Sequence, residues 1–140
     1  MNIFSWTSED MEFEAAYNVR GRRIFPFPGV TEPAWGGAWV EVPEGETSTA
    51  HHHDENEMFF IVEGGGEMRI GDETRRVGPG DTIFIPRFAE HDLTNDSDSR
   101  LLFLTVWWGG AEADEKERAR WAAVLGADSS AEAEAEGATA

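Results

Sequence analysis

Short apolar or alternating runs recur through the middle of the chain, and each is closed by glycine or proline. Trp35 to Val42 is the first such run. Met58-Phe59-Phe60-Ile61-Val62 follows and stops at Gly64-Gly65-Gly66. Glu67 to Ile70 and Thr74 to Val77 flank Gly71-Asp72, a two-residue hairpin signal. Gly78-Pro79-Gly80-Asp81 turns the chain into Thr82 to Ile85, and Leu101 to Trp108 is a long apolar run. A period of two, β-branched and aromatic residues, and turn residues at each end predict strands. Strands at this spacing predict an all-β barrel or sandwich.

After Trp108 the pattern changes. Glu112 to Leu125 reads as a helix, with acidic residues at its start, Arg118 and Arg120 later, and Gly126 as a C-cap. Asp114 and Arg118 stand at i,i+4 spacing. Trp121, Val124 and Leu125 form a narrow apolar stripe, expected to pack on the outside of the barrel, with a partner chain as the alternative. Residues 127–140 are low-complexity Ala/Glu and are expected to be a disordered acidic tail. The chain therefore divides into a barrel with an N-terminal extension over 1–108, a helix over 109–126, and the tail over 127–140.

A length of 140 residues suits one domain, and a hydrophobic content of 40% is enough for its core. No apolar stretch approaches the roughly 20 residues of a membrane span. The absence of cysteine rules out a disulfide framework and thiolate ligands. Met1 to Trp6 has neither the basic nor the apolar region of a signal peptide, which makes the cytoplasm the expected location. A net charge of −17 repels phosphate backbones and anionic lipid, so neither nucleic acid nor membrane is an expected partner.

The chemistry is concentrated in two runs. One reads G-x5-H-x-H-x3-E-x6-G from Gly45 to Gly64, through His51, His53 and Glu57. The other runs from Gly80 through Pro86 and His91 to Asn95. All four histidines of the protein lie in them. In extended chain His51 and His53 point one way and His52 the other. His52 is read as exposed or supporting. Glu57 lies four residues beyond His53 and joins that face along a regular strand, or across a short turn through Asp54-Glu55-Asn56. Three imidazoles and a carboxylate, His51, His53, Glu57 and His91, make a ligand set for one divalent metal. Neutral imidazole suits zinc, copper, iron and nickel, and the carboxylate widens the choice to manganese, with zinc the favoured ion. Four ligands close a tetrahedral zinc site, whereas an octahedral ion keeps two positions open. Glu57 is the candidate catalytic residue, because a carboxylate can change its binding mode or leave and act as a base.

Phe59 and Ile61 share the period-two face of Glu57 and are expected to line the substrate pocket. Phe88, just before His91, and Trp39 complete the expected lining. Trp107 and Trp108 must face opposite sides of their strand. The outward one needs a cover, which a second copy of the chain would provide.

These two runs resemble the motifs of the cupin superfamily, G-x5-H-x-H-x3,4-E-x6-G and G-x5-P-x-G-x2-H-x3-N. The first matches throughout. In the second, Phe88 stands where the family usually has glycine. The resemblance covers about residues 35–108, with a short spacer from Gly65 to Pro79. It implies an antiparallel jelly-roll β-barrel of about six to eight strands, with His51, His53, Glu57 and His91 as ligands in its mouth, and a homodimer. The stretch Trp35-Gly36 … Trp39 … Pro43-x-Gly45, with Leu101 to Trp108, is similar to the cupin component of hydrazine synthetases. That likeness implies a zinc site, N–N bond formation in specialised metabolism, and a separate ligase resembling methionyl-tRNA synthetase. The alternatives are a dioxygenase using iron, manganese or nickel, and a non-catalytic or cyclase-like cupin whose metal is structural.

Overall fold

The computed structural model describes residues 1–139, with side chains through residue 126. A 3₁₀ turn, Ser8–Asp10, precedes β1 (Glu12–Glu14), β2 (Val19–Arg23), β3 (Trp35–Val42), β4 (Glu55–Glu63) and β5 (Gly66–Ile70). Then come β6 (Glu73–Val77), β7 (Thr82–Ile85), β8 (His91–Thr94), β9 (Leu101–Gly109) and the helix α1 (Ala111–Thr139). Every strand pairing is antiparallel. One sheet has the order β1-β2-β3-β9-β4-β7 and the other β6-β5-β8. The all-β antiparallel barrel with a C-terminal helix is the expected fold.

The six strands read from sequence are all present. Three others, β1, β2 and β8, extend the sheets. The N-terminal extension is thus part of the barrel wall, since β2 pairs with β3 along Arg20–Glu41 to Arg23–Ala38. β9 sits between β3 and β4, which explains its near-continuous apolar sequence. Its inward residues Leu101 and Phe103 pack with Val42, Ile61, Ile85 and Leu93 in the core between the sheets.

Asn95, the last residue of the second motif, is fully buried and structural. Its Nδ2 donates to the carbonyls of Val42 and Ser99, and its Oδ1 accepts from the Ser97 amide and hydroxyl. That satisfies the side chain and closes the loop between β8 and β9.

The helix departs from expectation in two respects. Gly126 lies within α1 and does not cap it. Trp121, Val124 and Leu125 are exposed instead of covering the barrel. The helix is attached at its first turn, where the Ala111 amide donates to Asp54 Oδ2 at 2.8 Å and Arg87 pairs with Asp114 at 3.1 Å. Those contacts satisfy a free helix N–H and fix the start of the helix only. The tail expected over 127–140 lies outside the residues whose side chains are described. No helix among the described residues is long and apolar enough to cross a membrane.

Candidate metal centre

The two motifs meet as a backbone bridge. The His51 amide donates to the His91 carbonyl at 3.3 Å, and the His91 amide returns the bond to His51 at 3.0 Å. His53 follows two residues on. The chain bends at Asp54 and re-enters the sheet as β4, which brings Glu57 inward with Glu55, Phe59 and Ile61. The Phe88 amide donates to the His53 carbonyl at 2.7 Å, tying the second motif's loop to the first. Phe88 holds φ at +66°, the left-handed conformation that glycine adopts freely. The loop geometry survives without the glycine.

The three imidazoles share one device. His51 Nδ1 lies 2.8 Å from the Thr49 carbonyl, His53 Nδ1 3.1 Å from that of Glu55, and His91 Nδ1 2.9 Å from that of Ala89. A carbonyl can only accept, so each Nδ1 carries the hydrogen and each Nε2 presents its lone pair. The three rings group with ligand atoms within 4.8 Å of one another. His91 Nε2 is buried and makes no hydrogen bond. It lies 3.2 Å from Glu57 Oε1; with the ring neutral both atoms are acceptors and no bond forms, whereas a proton added at Nε2 would be donated to the carboxylate. His53 Nε2 meets the same oxygen at 3.1 Å. Acceptors facing one another at this separation fit a cation between them, because donors at right angles on one ion are roughly 3 Å apart when each bond is about 2.1 Å. A divalent metal thus fits His51, His53 and His91, with Glu57 in contact with two of the three. His52 is exposed and takes no part.

Glu57 is also held from behind, where the Thr105 hydroxyl donates to Oε2 at 2.6 Å. Burial pushes its carboxyl up, but His53, His91 and Thr105 together outweigh it and hold it at about 2. The Glu57 carboxylate stands ready to accept a proton gained by His53 Nε2 and so raises His53, whereas burial lowers His51.

The centre opens on a cavity of about 250 Å³. Phe59, Phe103, Thr105 and Trp107 form one wall, and Ala38 and Val40 of β3 another. Phe59 is placed as expected. Ile61 shares its face but lies deeper, in the core. Trp39 and Phe88 are not in the lining. The alternation of β3 that turns Ala38 and Val40 inward turns Trp39 outward, onto Trp6 at 5.3 Å. The left-handed turn at Phe88 carries its ring into solvent, where it is 64% exposed. Glu14, Tyr17, Val19 and Arg23 also line the cavity. They come from the two N-terminal strands and the turn between them, and no motif marks them.

The cupin domain family matches residues 38–107, half of the chain. The plu4264 protein of Photorhabdus luminescens is 32% identical and superposes with a TM-score of 0.74 over 86% of this chain and 98% of that one. Gentisate 1,2 dioxygenase 1 of Aquipseudomonas alcaligenes is 32% identical over 76 residues, 54% of this chain and 22% of its own length. Dimethylsulfoniopropionate lyase DddQ of Ruegeria pomeroyi is 35% identical over 74 residues, 52% of this chain and 36% of its own. The chain thus spans about a third or less of those two enzymes. The metal-ready histidines, the barrel that presents them and the matched domain agree: the chain belongs to the cupin family.

Proposed function

We propose that the chain is a metal-dependent enzyme that acts on a small molecule, with one divalent ion held by His51, His53, Glu57 and His91. The observation that carries this is the set of three Nδ1-anchored imidazoles whose Nε2 atoms converge, with the buried His91 Nε2 lacking a hydrogen bond. Such anchoring fixes the tautomer and the ring orientation of metal-binding histidines. A bound ion would supply Lewis acidity and open coordination positions.

The protein's own part is orientation, dryness and proton handling. Phe59, Phe103 and Trp107 wall the cavity and limit water in it. The Thr105 hydroxyl fixes one Glu57 oxygen and leaves the other toward the histidines, from where it can accept a proton.

Among reaction classes we favour an oxygen-using one with iron, manganese or nickel. An octahedral ion with four protein ligands keeps two places, enough for substrate and dioxygen. Relatives named as gentisate and 5-aminosalicylate 1,2-dioxygenases support this choice. The second reading is a zinc cupin working beside a separate ligase in N–N bond formation. Two pairs of the residues behind that likeness are cross-strand partners, Trp35 with Trp108 and Gly36 with Trp107.

The test is elemental analysis of untagged protein. About one metal per chain is expected, as a folded site of this kind binds its ion stoichiometrically. The double variant His51→Ala/His91→Ala should lose it, and equal metal in the variant would refute the assignment. Iron, manganese or nickel supports the oxygen-using reading, and zinc the second.

A further inference from the structure

We propose that Arg23 is the specificity-determining residue of the cavity and that the substrate carries a carboxylate. This rests on the small-molecule reading above and names its substrate class. β2 alternates Val19, Gly21 and Arg23 on one face, and Val19 and Arg23 both line the metal cavity. Arg23 is the one arginine or lysine in that lining, which otherwise holds the carboxylates Glu14, Glu55 and Glu57. A larger groove of about 860 Å³ runs outward toward α1. Arg23, Glu55 and Trp107 line both spaces, so they form the neck that joins them.

The guanidinium is held in place before any ligand arrives. Its Nη2 bonds Glu14 Oε2 at 3.1 Å, and its Cζ lies 5.6 Å from the centre of the Trp107 ring. Both supports are made room for by glycine. A Cβ on Gly21 would press on Glu14 Oε1 at 3.2 Å, and one on Gly36 would fall within the Trp107 indole. Arg23 makes no other hydrogen bond among the described residues. An arginine has five N–H donors in a planar fork, so most of them remain for a ligand at the neck. An exposed ion pair by itself contributes little. It does not account for a half-exposed arginine placed at the cavity neck with an indole beneath it and one edge unused. A planar, bidentate acceptor does, and a carboxylate is that acceptor. The carboxylate would sit on Arg23 at the neck while the rest of the molecule reaches the metal centre.

The test compares benzoate with its neutral isostere benzamide, each titrated calorimetrically into full-length protein as isolated, with metal measured on the same samples. The ratio of the two affinities should fall roughly tenfold from wild type to Arg23→Gln, the loss of one charge-assisted forked contact. Arg23→Lys keeps the charge and the Glu14 pairing but not the fork, and should lose most of the preference while melting as wild type does. Metal content should not change in either variant. An unchanged ratio in Arg23→Gln overturns the proposal, as does wild-type protein that binds benzoate no better than benzamide or binds neither. A metal-free wild type would instead count against the proposed function, and leaves this comparison intact because Arg23 is not a ligand.

Discussion

Glu57 and His53 respond to acid with opposite signs. The Glu57 carboxyl sits at about 2, below its ordinary 4.5, so the stability it contributes is complete above 4.5 and is lost as pH falls toward 2. His53 is raised above 6.5, so its share is complete below that value and is lost as pH climbs through the raised one. In chelator-treated protein, Glu57→Gln should therefore melt below wild type at neutral pH, and the gap should close between pH 4.5 and 2. A gap that persists across that window would show that the carboxylate's charge is not what stabilises the fold. With metal present, the same variant should keep its ion at roughly 10–100-fold lower affinity yet lose turnover. Phe88 makes a different point at this scale. A left-handed backbone costs a non-glycine residue roughly 1–2 kcal/mol, and the bond from its amide to the His53 carbonyl helps hold it there.

Between elements, the contact of β3 with β9 sets the shape of the cavity. Gly36 and Trp107 are register partners, and the indole occupies the space a side chain at Gly36 would need. Gly36→Ala should destabilise by about 1–3 kcal/mol, as overpacking does, and should displace Trp107. Gly78→Ala is the control, because nothing lies within 4 Å of its Cβ position, and it should stay within about 0.5 kcal/mol. Chemical denaturation measures both. The same strands show how far the sequence could be read. β3, β4, β7 and β9 announce themselves by apolar runs between turns, and the metal residues by spacing. β1 is three residues long, and β2 is Val-Arg-Gly-Arg-Arg, too polar to stand out. Without β2 the sequence offers no route to Arg23, and without Tyr17 or Glu14 the expected lining of Phe59, Ile61, Phe88 and Trp39 is purely apolar. Trp39 was misplaced for another reason. Alternation says that neighbours face apart, but only the pairing with β9 fixes which of them faces in. Helix α1 misled through Gly126, since a glycine permits a stop without compelling one.

Across the whole molecule, chain order and sheet order disagree. β9, the last strand, lies between β3 and β4, and the His51–His91 bridge joins positions 40 residues apart. The acidic surface is partly offset by local pairs, such as Arg100 with Glu63 and Arg69 with Asp92 and Glu90. Arg100–Glu63 and Arg69–Glu90 reach solvent and add little each, while Arg69–Asp92 is partly buried. The fold is held by the sheets closing on one another, and the candidate metal residues straddle that closure.

That bridge bears on rates. Contacts so distant in sequence make folding slow, since much of the loop-closure entropy is lost before they form. A site assembled from both ends of such a span belongs to the last stage of folding, after the barrier. Interactions absent at the barrier slow unfolding and leave folding almost untouched. Saturating metal should therefore lower the unfolding limb of a chevron plot by at least about tenfold, with the refolding limb unmoved. A faster refolding limb would instead place the His51–His91 pairing in the nucleus. An ion bound there would act as a latch: the barrel would close without it, and open rarely once it was in place.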